Sequence, residues 1–160
     1  MSVCLLVAGV LRATLATSEF TLEWQHSVEK IRWEERYRVS GAKLDVVEAR
    51  IQGSGAGMDP PPDARLRDGW WTWRPHTPPL AELRLTLSPY TRDYDLCWSG
   101  RCRTLRDVVG SRTPTAVVTL RPCRLRAGES LLHGSLHSPP TRASAADGAR
   151  RPEHLRAPWP

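Results

Sequence analysis

Apolar and polar residues alternate with a period of two along much of the chain, the pattern of strands that bury one face. Over residues 19–28, Phe20, Leu22, Trp24, His26 and Val28 share one face, and Thr21, Glu23, Gln25 and Ser27 the other. Residues 33–39 repeat the alternation, with Trp33, Glu35, Tyr37 and Val39 against Glu34, Arg36 and Arg38. A short connection centred on Lys30 and Ile31 predicts a hairpin that sets Val28 opposite Trp33, His26 opposite Glu35, Trp24 opposite Tyr37 and Leu22 opposite Val39. Further strands are expected over residues 44–51, 70–73, 80–87 and 115–120, the last ended by Pro122, with a hairpin over 94–105. No segment keeps a helical period beyond two turns, and 14 prolines and 11 glycines punctuate the chain at short intervals. The expected fold is a small antiparallel β-sandwich or barrel.

The first residues break the alternation. Residues 3–11 are uninterrupted apolar and Gly, followed by Arg12 and then Ala13, Thr14, Ala16, Thr17 and Ser18. Such a run is too short to span a bilayer and suits the apolar region of a secretory leader, with cleavage near Ala16. The alternative is a first buried strand. This reading divides the chain into a signal peptide over 1–18, an all-β domain over 19–123 and a tail over 124–160.

Charge changes little in the picture of the domain itself. Of the net +6, most lies late: residues 1–120 carry 16 Lys+Arg against 14 Asp+Glu, whereas residues 121–160 carry 7 against 3. A nucleic-acid footprint wants cations gathered on one face of the fold, so nucleic acid is not expected as a partner. The tail, rich in Arg, Pro, Ala and Ser, has few apolar anchors to offset its ordering entropy and is expected to be disordered. Its scattered charges leave peripheral association with an anionic membrane as a secondary role.

Cysteine placement agrees with export. Cys97 and Cys102 flank Trp98-Ser99-Gly100-Arg101, and a two-residue turn at Ser99-Gly100 sets the two cysteines opposite each other, within disulfide reach. A zinc half-site is the rival, but a Cys-x4-Cys pair without a second pair at ligand spacing is a poor one, and no metal set is expected. Cys123 is left free or to pair with either hairpin cysteine.

On the predicted hairpin, His26 and Glu35 are the polar pair of an otherwise apolar, aromatic face. A buried polar group needs a partner, so each is expected to satisfy the other. As a site, the carboxylate would favour the charged imidazole, a donor for an anion. Ser27 and Glu29 flank His26 but project elsewhere, so no Ser-His-acid triad forms and no catalytic residue is assigned. Gly53, Gly55 and Gly57 lack the Lys-Ser/Thr of a phosphate loop and the helix of a dinucleotide site, so no cofactor is expected. Their amides could instead form a nest near His26 for a carboxylate or phosphate group. The expected ligand-binding residues are therefore His26, Ser27, Glu29, Glu35, Gly53, Gly55 and Gly57.

Several motifs fall in an order that resembles the bacterial DUF1850 family: Phe20-Thr-Leu-Glu-Trp-Gln-His26-Ser27-Val28-Glu29-Lys30, Glu35, Val47-Glu48-Ala49-Arg50, Gly53-Ser54-Gly55-Ala56-Gly57-Met58 and Asp68-Gly69-Trp70-Trp71. The resemblance runs from Phe20 to about Leu105. It implies a small exported or membrane-associated protein, periplasmic, linked to tripartite (TRAP) transporters of the TAXI type, and no known reaction. The resulting expectation is an accessory or ligand-binding module of a solute uptake system, meeting a transporter component or a small acidic ligand. The alternatives are a small hydrolase using His26 and Glu35, and a structural envelope protein.

Overall fold

The alternation is realised as two antiparallel sheets. The computed structural model describes residues 1–25, 30–53 and 60–124. In chain order the elements are β1 (Ser2–Val7), β2 (Val10–Leu15), β3 (Glu19–Gln25), β4 (Arg32–Ser40), β5 (Lys43–Gln52), β6 (Arg65–Arg67), β7 (Trp70–Trp73), β8 (Leu83–Leu87), β9 (Asp95–Trp98), β10 (Arg101–Thr104), α1 (Leu105–Val109) and β11 (Ala116–Cys123). A four-stranded sheet has the order β2-β1-β11-β8 and a seven-stranded sheet the order β10-β9-β3-β4-β5-β7-β6. Val3, Leu5, Leu15, Leu87, Val118 and Leu120 of the small sheet meet Phe20, Leu22, Tyr37, Val39, Leu44 and Leu96 of the large one in a single buried cluster. The fold is an all-β sandwich, as the periodicity predicts. Helix α1 caps one edge of the core with Leu105 and Val109, its first turn held by the Thr104 hydroxyl accepting from the Asp107 amide.

The opening residues are built into this core. Val3 and Leu5 are completely buried, and β1 lies between β2 and β11, so it has a strand on both sides. The apolar run supplies β1, the turn and the exposed start of β2; in β1 Val3 and Leu5 on one face and Ser2 and Leu6 on the other are all buried, so this strand needs no polar face. Gly9, in the left-handed region at φ 77°, closes the β1–β2 turn between Val7 and Val10.

The cysteines are all oxidised. Cys97 and Cys102 are directly opposed across the Ser99-Gly100 turn and joined, as the spacing predicts. Cys123 pairs with Cys4 and not with the hairpin, because the β1–β11 register brings Ser2 opposite Cys123 and Cys4 opposite Arg121. Strand β11 continues through Pro122 instead of ending before it. Its pairing with β8 stops at Leu120, so beyond that point one side of β11 is an edge where a missing N–H costs no ladder bond. Of the tail, only Arg124 lies within the described residues, and the expectation of disorder falls outside them.

The central hairpin keeps the predicted faces but not the predicted register. Trp24 pairs with Trp33, Leu22 with Glu35 and Phe20 with Tyr37, four residues along β4 from the expected match. The physical reason is visible on both faces. Inside, this register stacks Phe20 on Tyr37 (centroids 5.0 Å apart) and Trp24 on Trp33 (5.7 Å). Outside, it aligns Glu19 with Arg38 (2.7 Å) and brings Arg32 to Glu23 (2.6 Å).

Candidate functional site

Past the part of the large sheet that the small sheet covers, the inner face is lined by half-buried aromatic rings. Trp24 of β3, Trp33 of β4, and Trp71 and Trp73 of β7 point to this face because the ladder sets Trp33 opposite Ile51, Ile51 opposite Trp71 and Ala49 opposite Trp73. Tyr94, just before β9, approaches Trp24 with ring centroids 6.3 Å apart, and Trp33 meets Trp73 edge-to-face at 6.2 Å. The alternation Trp71-Thr72-Trp73 is what sends two indoles inward while Trp70 and Thr72 face out.

Glu35 shares this face two residues along β4 from Trp33, with Leu22 and Ala49 as its cross-strand neighbours. Its partner is the hydroxyl of Tyr37, which donates to Oε2 of Glu35. Burial, first, and then the Glu35 carboxylate push the Tyr37 hydroxyl well above the usual phenol range, so it stays a neutral donor. Tyr94 is raised as well, by burial and then by Asp93. On the inward positions of β3, β4, β5 and β7, Glu35 is the single charged side chain among the described residues. Trp33 Nε1 is buried and has no hydrogen-bond partner among them.

The expected constellation is met only in part. His26, Ser27, Glu29, Gly55 and Gly57 lie outside the described residues. Glu35 faces the aromatic side as predicted, but its cross-strand neighbour is Leu22 and its hydrogen-bond partner is Tyr37, so the pairing opposite His26 is not the one formed. Gly53 does not offer its amide to a ligand, because that N–H donates to the Gly69 carbonyl at 3.0 Å. A Cβ at Gly53 would lie 3.7 Å from Cγ2 of Ile31, so Gly53 sits beside the residue that leads into β4. Trp73, Tyr94 and the Tyr37 hydroxyl are the contributors that the strand pattern does not single out.

The opposite face carries a charge network that reads as structure. Glu23 and Glu34 are directly opposed, an arrangement that would repel, and Glu34 is only 5% exposed. Arg32 lies between them, 2.6 Å from Glu23 and 3.6 Å from Glu34, and Arg50 donates through Nε to Glu34 at 2.5 Å. The Trp70 ring covers Arg50 at 4.6 Å and Arg32 at 5.8 Å. The paired charges tie β3, β4, β5 and β7 together on this face.

The aromatic end offers large flat apolar walls, one indole donor and one carboxylate fixed by a phenol. No curated protein and no solved structure matches the chain. Residues 20–105 match the model of DUF1850, a domain of unknown function, a stretch that contains nearly all of the seven-stranded sheet and the whole aromatic end; the chain belongs to that family.

Proposed function

We propose that the protein is an extracytoplasmic accessory or ligand-binding module of a solute uptake system of the TRAP/TAXI type, and that the tryptophan-lined end around Glu35 is its contact surface. The observation that carries this reading is the clustering of Trp24, Trp33, Trp73 and Tyr94, together with Trp71, on the face that also carries Glu35, the buried Trp33 N–H being unmatched among the described residues. Aromatic side chains offer large contact area with few rotatable bonds and are over-represented in binding surfaces. Two disulfides fit a compartment where thiols stay oxidised. The site suits a body with an apolar face and one acceptor for Trp33 Nε1; a multiply charged anion would face Glu35.

The test is retention of membrane proteins on the immobilised, oxidised full chain, read by mass spectrometry, with Trp33→Phe and Glu35→Gln as comparisons. A transporter component held by the native chain and lost from Trp33→Phe, which keeps an aromatic ring but removes the N–H, is the expected result. Equal retention by both variants and the native chain, or none by any, overturns the assignment.

A further inference from the structure

On the outer side of the large sheet, the fold brings a third ligand atom to the hairpin cysteines. Sγ of Cys97 lies 3.2 Å from Oε1 of Glu23, a residue 74 positions earlier in the chain, and Glu23, Cys97 and Cys102 each place one ligand atom within 4.8 Å of the others. We infer that this trio is a redox-gated site for a soft divalent cation of the zinc class, closed while Cys97 and Cys102 are joined and opened when they are reduced.

The donor set is the first argument. Two thiolate sulfurs and one carboxylate oxygen are ligands that Zn²⁺ accepts, with a fourth position left for water. The orientation of Glu23 is the second. Arg32 holds its Oε2 at 2.6 Å, which leaves Oε1 turned to the sulfurs, the outer-shell support that ligating carboxylates ordinarily have. Access is the third: Cys102 is exposed, and the pair opens onto a recess of about 390 Å³ lined also by Glu19, Thr21 and Arg36. The two arginines nearest the recess are engaged elsewhere, Arg36 with Glu48 at 3.3 Å and Arg101 over the Trp98 ring at 4.8 Å. Asp95, directly opposite Glu23, adds negative potential on the same face.

The chemistry balances as follows. A dithiol reductant delivers two electrons and two protons, breaking the Cys97–Cys102 bond to two thiols while it becomes a disulfide itself. The cation then displaces both thiol protons to solvent, leaving two thiolates and one carboxylate around it. The second disulfide plays no part.

The experiment uses the full chain treated with limiting dithiol, the opened cysteines identified by alkylation and mass mapping, and Co²⁺ as the probe. Expected are labelling at Cys97 and Cys102 before Cys4 and Cys123, and a thiolate-to-cobalt charge-transfer band that appears only after reduction and is abolished by Zn²⁺. Glu23→Gln should weaken cobalt binding at least tenfold while the same cysteines remain reducible. The proposal is overturned if the reduced chain gives no such band, if the oxidised chain binds equally, if Cys4 and Cys123 open first, or if Glu23→Gln binds like the native chain.

Discussion

The two disulfides do opposite kinds of work. Cys4–Cys123 joins residues 119 apart and ties the neighbouring strands β1 and β11, whereas Cys97–Cys102 joins residues 5 apart across a turn whose ladder already holds them together. In the chain-entropy picture, closing the long loop stabilises the fold by about 5 kcal/mol and closing the short one by about 2 kcal/mol. The long crosslink restrains the unfolded chain and belongs to the architecture. The short one adds little to it, sits on an exposed edge hairpin beside a carboxylate, and is therefore free to change state without unmaking the sandwich.

The hardest way to break this contrast is to remove the strand that carries Cys4. Deleting residues 1–18 takes away β1 and β2, with Val3, Leu5 and Leu15 from the core, each worth about 1.5–3 kcal/mol of burial, as well as the long crosslink. That approaches the whole stability of an ordinary domain, about 5–15 kcal/mol. The expected outcome is loss of a cooperative urea transition followed by tryptophan fluorescence; a truncated chain that still melts sharply would show that β1 is dispensable.

Replacing Cys4 and Cys123 together by Ser is expected to cost about 5 kcal/mol in the same assay, and replacing Cys97 and Cys102 together about 2 kcal/mol. Equal losses would remove the distinction between staple and switch. Alkaline pH adds a finer comparison. Burial raises Tyr37 above its ordinary value near 10, so above pH 10 the unfolded chain releases a proton that the folded chain keeps, and stability falls as pH rises. The loss approaches about 1.4 kcal/mol per pH unit above that point. It should be the same in the native chain and in the Cys97/Cys102 double serine variant, because separate regions add independently. A steeper loss in the variant would mean that the hairpin and the core are coupled.

The smallest effect sits at the turn itself. Ser99 adopts φ 49° and Gly100 φ 77°, the pair of left-handed conformations for which Asn-Gly is favoured. Ser99→Asn should raise stability by a few tenths of a kcal/mol in oxidised chain. It should gain more in reduced chain, where the turn alone holds the hairpin; an equal gain in both would mean that the disulfide never limited the turn.

How much of this was legible depends on the range of the signal. Alternation names both faces of β3 and β4, and Ser99-Gly100 announces a hairpin with opposed cysteines, because period and turn type are local; in β5 strict alternation sets Leu44 and Val46 against Ala49 and Ile51, whereas a bulge at Val47 brings all four to the inner face. The β3–β4 register was not legible: the choice among even shifts is made by which rings stack across the strands, and the sequence offers Trp24 both Trp33 and Tyr37. The apolar opening run suits a leader and a buried strand alike, since a strand shielded on both faces lacks the alternation that identifies strands. Glu35 was legible as the odd carboxylate on an aromatic face, but its partner two residues on, Tyr37, was not, because a tyrosine on that face also reads as packing. The contact of Glu23 with Cys97 depends on β3 lying beside β9, and no spacing in the chain encodes it.

One consequence follows from β1 lying against β11. The first strand has its central neighbour at the opposite extreme of the ordered sandwich, so the small sheet cannot assemble until residues 116–123 are available. Growing chains of this protein stay open until nearly all of the domain has been synthesised, since pairings so distant in sequence close slowly. The last strand to arrive is thus the one that completes the small sheet, and only then can Cys123 meet Cys4.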